Sequence, residues 1–184
     1  TIHAAKGPAM PEDVRLPLTV RPVRYNLSLA PNLTAFSFEG TVDIEATVAE
    51  ATDRITLHAL ELTIHQATVT AGGSTQAANL SFDEDAETVT LALPAAVPAG
   101  SATLHFSFTG TLNDQLRGFY RSSSNGDRYA VTQFESTDAR RAFPCFDEPA
   151  LKATFDISLV VPKAAQAISN GRVVSDTPGP GAAR

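Results

Sequence analysis

The chain has 184 residues, 43% hydrophobic and 18% charged, with 20 acidic against 14 basic side chains and a net charge of −6. That length can close one sizeable core, the hydrophobic share excludes global disorder, and the acidic surplus has the wrong sign for a nucleic-acid partner. No run reaches the roughly 18 apolar residues needed to cross a bilayer, so no membrane span is expected, and the single cysteine, Cys145, leaves no internal disulfide.

Residues 1–14 show neither a long apolar stretch nor alternation. They are expected to be a disordered lead-in, either an expression remnant or a processed N-terminus. From Arg15 to Arg184 the dominant rhythm is period two. Tyr25, Leu27 and Leu29 alternate with polar neighbours. Val42, Ile44, Ala46 and Val48 then fall on one face, with Thr41, Asp43, Glu45 and Thr47 on the other. Successive side chains of a pleated strand point to opposite sides, so each run predicts a half-buried strand. The pattern returns at Ile55, Leu57 and Ala59, at Val89, Leu91 and Leu93, and at Leu104, Phe106 and Phe108. It appears last at Phe155, Ile157, Leu159 and Val161.

Turn residues separate these runs: Pro31-Asn32, Ala71-Gly-Gly-Ser74, Pro98-Ala-Gly100 and Asn125-Gly-Asp127. One brief helix is expected, from an N-cap at Ser136 to the stop at Pro144. Many short strands without helical crossovers predict an all-β fold of antiparallel sheets, a sandwich or a curled, saddle-like sheet. The tail from Asp176 reads as a loop, and the chain is expected to be cut from something longer, before its last strands.

The four histidines, His3, His58, His65 and His105, show no metal-ligand spacing. His58 and His105 occupy polar-face positions and are expected to face water. Neither a metal site nor a catalytic residue is expected within the chain. Cys145, in Phe-Pro-Cys-Phe, reads as a packed small hydrophobe. The sequons at Asn26, Asn32 and Asn79 are short enough to arise by chance.

Tyr129-Ala-Val-Thr-Gln-Phe-Glu-Ser136 is more informative. As a strand it places Tyr129, Val131, Gln133 and Glu135 on one face and turns Phe134 the other way. On spacing alone, Gln133 and Glu135 are either a solvated pair at a strand end or a small polar platform for a ligand's cation or amide.

The segment Thr132-Gln-Phe-Glu-Ser-Thr-Asp-Ala-Arg-Arg-Ala-Phe-Pro-Cys-Phe-Asp-Glu-Pro-Ala-Leu-Lys-Ala-Thr-Phe155 resembles a signature of the aminopeptidase N family of zinc metallopeptidases, which includes the puromycin-sensitive aminopeptidases. Supporting pieces follow in family order: Val20-Arg-Pro-Val-Arg-Tyr25, Phe38-Glu-Gly-Thr-Val-Asp-Ile44, Ile55-Thr-Leu-His-Ala-Leu60, Leu116-Arg-Gly-Phe-Tyr-Arg-Ser122 and Ser169-Asn-Gly171. The likeness runs from Arg15 to Val174 and matches the family's N-terminal β-domain.

The zinc-binding H-E-x-x-H and the G-x-M-E-N exopeptidase motif of the family's catalytic domain have no counterpart here. The resemblance therefore implies an inactive fragment of a zinc aminopeptidase, with the zinc held by the catalytic domain of the same polypeptide. It further implies that Glu135 anchors the free α-amine of a peptide and that Gln133 lines the first side-chain pocket. Arg140, Asp147 and Glu148 are expected to be scaffold, and Tyr120 to pack in the sheet or approach the substrate channel. The alternative is a stand-alone β-sandwich binding module without peptidase activity, and an open strand edge could pair two copies. The single cysteine and the absence of a visible signal sequence favour the cytoplasm, with secretion after cleavage of a leader as the alternative.

Overall fold

The structure, a computed structural model, describes residues 15–179. The expectation for residues 1–14 lies outside that range. Eleven strands form among the described residues: β1 (Val20–Asn32), β2 (Ser37–Val48), β3 (Thr52–His58), β4 (Leu62–Ala71), β5 (Ser74–Ala77), β6 (Asn79–Asp83), β7 (Thr88–Val97), β8 (Gly100–Thr111), β9 (Gly118–Ser124), β10 (Asp127–Gln133) and β11 (Thr154–Leu159). They build a six-stranded sheet in the order β11-β1-β2-β8-β4-β5, a three-stranded sheet β3-β7-β6, and a β9-β10 ribbon. The fold is all-β, as the alternation predicts.

Alternation becomes architecture most directly in β2 and β8. Their register pairs Val42 with Phe106 and Ile44 with Leu104, all fully buried. Tyr25, Leu27 and Leu29 of β1 and Val69 of β4 extend this inner face, and Ile55, Leu57, Val89 and Leu91 supply the facing one. The two sheets thus share one core. Two cross-strand pairs in it exchange size: Phe38 faces Gly110, and Gly40 faces Phe108. A Cβ on either glycine would collide with the ring opposite. The outer face of the large sheet is polar, and there Asp43 meets His105 Nδ1 at 2.7 Å.

The hairpin tips follow the turn residues. Gly72 and Gly73 link β4 to β5, while Asn125 and Gly126 link β9 to β10, all four at positive φ. Paired positive φ is the geometry of the tight turns that match strand twist.

Two expectations need correction. First, β11 pairs with β1 in parallel, with Tyr25 beside Phe155 and Leu27 beside Ile157, so the large sheet is mixed. Second, Phe155 and Ile157 share the inner face but remain 49% and 48% exposed. The three-stranded layer is half as wide as the sheet it covers, and β11 lies at the margin. Phe155 compensates in part by stacking on Tyr25, with ring centroids 4.6 Å apart.

Candidate functional site

Gln133 is the last residue of β10 and lies opposite Gly118 of β9. The same register pairs Val131 with Tyr120 and Tyr129 with Ser122, so these side chains share one face of the ribbon. The opposite face is anchored to the body: Phe119 is buried, its ring 5.0 Å from that of Phe38. The strand stops at Gln133, two residues before Glu135, so the two side chains are not neighbours along one regular strand. Phe134 still turns inward and meets Phe143 edge-on at 5.9 Å. Gln133 and Glu135 are both exposed, and neither side chain has a hydrogen-bond or ionic partner among the described residues. The peptide joining Glu135 to Ser136 is cis.

The helix expected from Ser136 reduces to one 3-10 turn, Ala139–Arg141, preceded by Asp138 rather than capped by Ser136. Asp138 N donates to Phe134 O at 3.0 Å, closing the loop that carries Glu135. Its carboxylate accepts from Arg141 Nε at 2.9 Å, and Arg141 Nη1 reaches Glu61 Oε1 at 2.5 Å. Arg141 lies directly over Gly118, where a Cβ would stand 2.7 Å from its own Cβ. Gly118 also has φ +65°, a left-handed conformation that suits glycine.

Beneath this turn, Arg140 is buried. Its Nε donates to Asp147 Oδ2 at 3.0 Å and its Nη1 to Glu87 Oε2 at 2.8 Å. Glu148 Oε1 accepts from Leu16 N at 2.6 Å. Arg140, Asp147 and Glu148 therefore have the scaffold positions expected of them. Tyr120 is half-buried on the ribbon.

His58 overturns its expectation. It is 4% exposed, because the Phe143–Asp147 segment lies across the end of β3. His58 N donates to Cys145 O at 2.8 Å, Cys145 N returns a bond to His58 O at 3.0 Å, and Asp147 N donates to the ring Nδ1 at 3.2 Å. Burial, followed by the nearby Arg140 cation, lowers the imidazole pKa from its ordinary value. Cys145 is buried in the same segment, and burial pushes its thiol well up.

Two surface depressions are lined by residues such as Ser28, Thr41, His65 and Ser107, and by the Pro31–Thr34 turn. Neither includes Gln133 or Glu135, which stand on open surface. Among the described residues no three His, Cys, Asp or Glu side chains gather as metal ligands, so zinc does not fit the groups described. No helix is long and apolar enough to cross a membrane.

With this geometry in hand, comparison with known proteins assigns the class. Residues 21–182 match the model of the Peptidase M1 N-terminal domain, and the chain belongs to that family. The puromycin-sensitive aminopeptidase of Caenorhabditis elegans is 44% identical over 171 residues, covering 89% of this chain and 18% of that protein. Aminopeptidase M1-B of Oryza sativa subsp. japonica is 41% identical over 169 residues (90% of this chain, 19% of that protein). Aminopeptidase M1 of Arabidopsis thaliana is 42% identical over 174 residues (89% and 20%). The chain thus spans about a fifth of the length of these relatives.

Proposed function

We propose that this chain is the substrate-anchoring N-terminal lobe of a zinc aminopeptidase that releases N-terminal amino acids from peptides, and that the lobe alone is inactive. The observation that carries this reading is the division of labour around Phe134. The ring is held in the body, while Gln133 and Glu135 project outward without partners. A peptide's α-amine has an ordinary pKa of about 7.7–8.0 and is largely cationic at neutral pH. A carboxylate at Glu135 can make a charge-assisted bond to that ammonium which an internal peptide segment cannot match. The chain's first residue is thereby measured from its charged end. Gln133, both donor and acceptor, suits the backbone or first side chain of the peptide.

The zinc belongs to a catalytic domain elsewhere in the same polypeptide, where it would supply the hydrolytic chemistry. The protein's compartment on this reading is the cytoplasm. In the full-length aminopeptidase, Glu135→Ala is expected to lower kcat/KM on free-amine peptides by about 2–5 kcal/mol, the range for unpairing a desolvated charge. Glu135→Gln should fall between Ala and wild type. Near-normal kcat/KM in Glu135→Ala would discard the assignment.

A further inference from the structure

We propose that His58 is a positioning residue: a proton-sensitive latch that holds the Pro144–Asp147 segment, and through it the turn bearing Glu135. The path is a chain of direct contacts. The ring Nδ1 accepts the Asp147 N–H at 3.2 Å. The Asp147 carboxylate accepts from Arg140 Nε at 3.0 Å, and Arg140 sits in the 3-10 turn. Its neighbour Arg141 grips Asp138, whose N–H closes on Phe134 O between Gln133 and Glu135.

The latch depends on an unprotonated Nδ1. With Nδ1 as acceptor, the neutral ring carries its proton on Nε2. When Nδ1 takes a proton from water, its lone pair is lost and two N–H donors point at each other. The new imidazolium is also buried beside a guanidinium.

The charged groups facing it come from three elements: Arg140 from the 3-10 turn, Glu87 from the turn before β7, and Asp147 and Glu148 from the segment itself. Two of the three carboxylates, Glu87 and Asp147, already bind Arg140, so they are poorly placed to receive a second cation. The phenol of Tyr25, which accepts the Phe146 N–H at 3.0 Å, and the Cys145 thiol stay neutral throughout. Acid therefore opens the segment at Asp147 before the sheets themselves melt.

This inference stands whether or not Glu135 anchors an amine, and its test uses the 184-residue chain. Amide-exchange protection and the His58 ring shifts would be followed by NMR from pH 7.5 to 5, alongside His58→Asn, whose Oδ1 can replace the Nδ1 acceptor without titrating. Protection at Asp147 and Asp138 should fall at least tenfold in the wild type, with the same midpoint as the His58 ring, and stay flat in His58→Asn. The proposal is overturned if the ring titrates while Asp147 keeps its protection, or if His58→Asn loses protection along the wild-type curve. Should His58→Asn not fold, the wild-type comparison of the two midpoints decides alone: coincidence supports the latch and separation removes it.

Discussion

Arg140 and Asp147 form an ion pair at 3.0 Å with side chains only 8% and 14% exposed, and Glu87 completes the cluster from the other side at 2.8 Å. Removing one partner from such a cluster costs more than the pair contributes, because the remaining charges stay withdrawn from water. Arg140→Met should therefore destabilise the chain by about 3 kcal/mol, the lower end for buried pairs, since Glu87 keeps a third of its side chain in solvent. Arg140→Lys keeps the charge, loses the fork and should cost less. Urea-unfolding midpoints measure both; an unchanged midpoint for Arg140→Met would show that the cluster is not structural.

Gly110 offers a test of the core that involves no charge. The Phe38 ring fills the space a Cβ would need, so Gly110→Ala forces the ring off its position. Overpacking of this kind costs about 1–3 kcal/mol. A lowered melting temperature is expected for Gly110→Ala. At Gly73, Ala meets no atom within 4 Å, but the left-handed φ of +81° strains the turn locally. A Gly110→Ala variant as stable as wild type would refute the close packing of Phe38.

The pH dependence of global stability follows from His58. Its folded-state pKa is lowered by burial first and by Arg140 second. Below about pH 6.5, the ordinary histidine value, the unfolded chain takes up a proton that the folded chain resists. The His58 contribution is thus fully present above that pH and is lost as pH falls through the window beneath it. Equilibrium unfolding at pH 7.5 and 5.5 should show a larger acid loss in wild type than in His58→Asn; equal losses would remove His58 as the source.

Cys145 should be chemically silent in the native state. Its thiol is buried and its pKa is raised chiefly by burial, so little thiolate is exposed for attack. Labelling by a maleimide should proceed at the rate of segment opening and become fast only in denaturant. Rapid native labelling would contradict the packing of the Phe143–Phe146 run.

The strands with one face buried along most of their length were the most legible, whereas β4, β5 and β6 pair with near neighbours yet were not among the runs read from the sequence. β2 keeps a strict alternation because one face is buried along its whole length, and the β4–β5 and β9–β10 tips carry glycine or asparagine at positive φ, whereas Phe36 and Glu87 take positive φ in the β1–β2 and β6–β7 turns with no such signal. Two further features escaped because they depend on distant chain. Parity places His58 on the outer side of β3, and only the later Phe143–Asp147 segment turns that side into interior. The apolar Phe-Pro-Cys-Phe run, which needs a surface to lie on, was the available hint. The parallel placement of β11 left no local trace. At the candidate site, alternation foretold that Phe134 and its two neighbours would part ways. It could not foretell that β10 would end at Gln133, because the turn beyond is held by arginines and carboxylates from four separate places in the chain.

The adjacency of β1 and β11 bears on how the protein is made. Arg24 and Asp156, joined by an ion pair across those strands, are 132 residues apart. During synthesis at roughly 5–20 residues per second, one flank of β1 stays bare for on the order of ten seconds after the strand is made. Until its late neighbour emerges, that open rim is a place where the nascent chain can pair with the wrong strand.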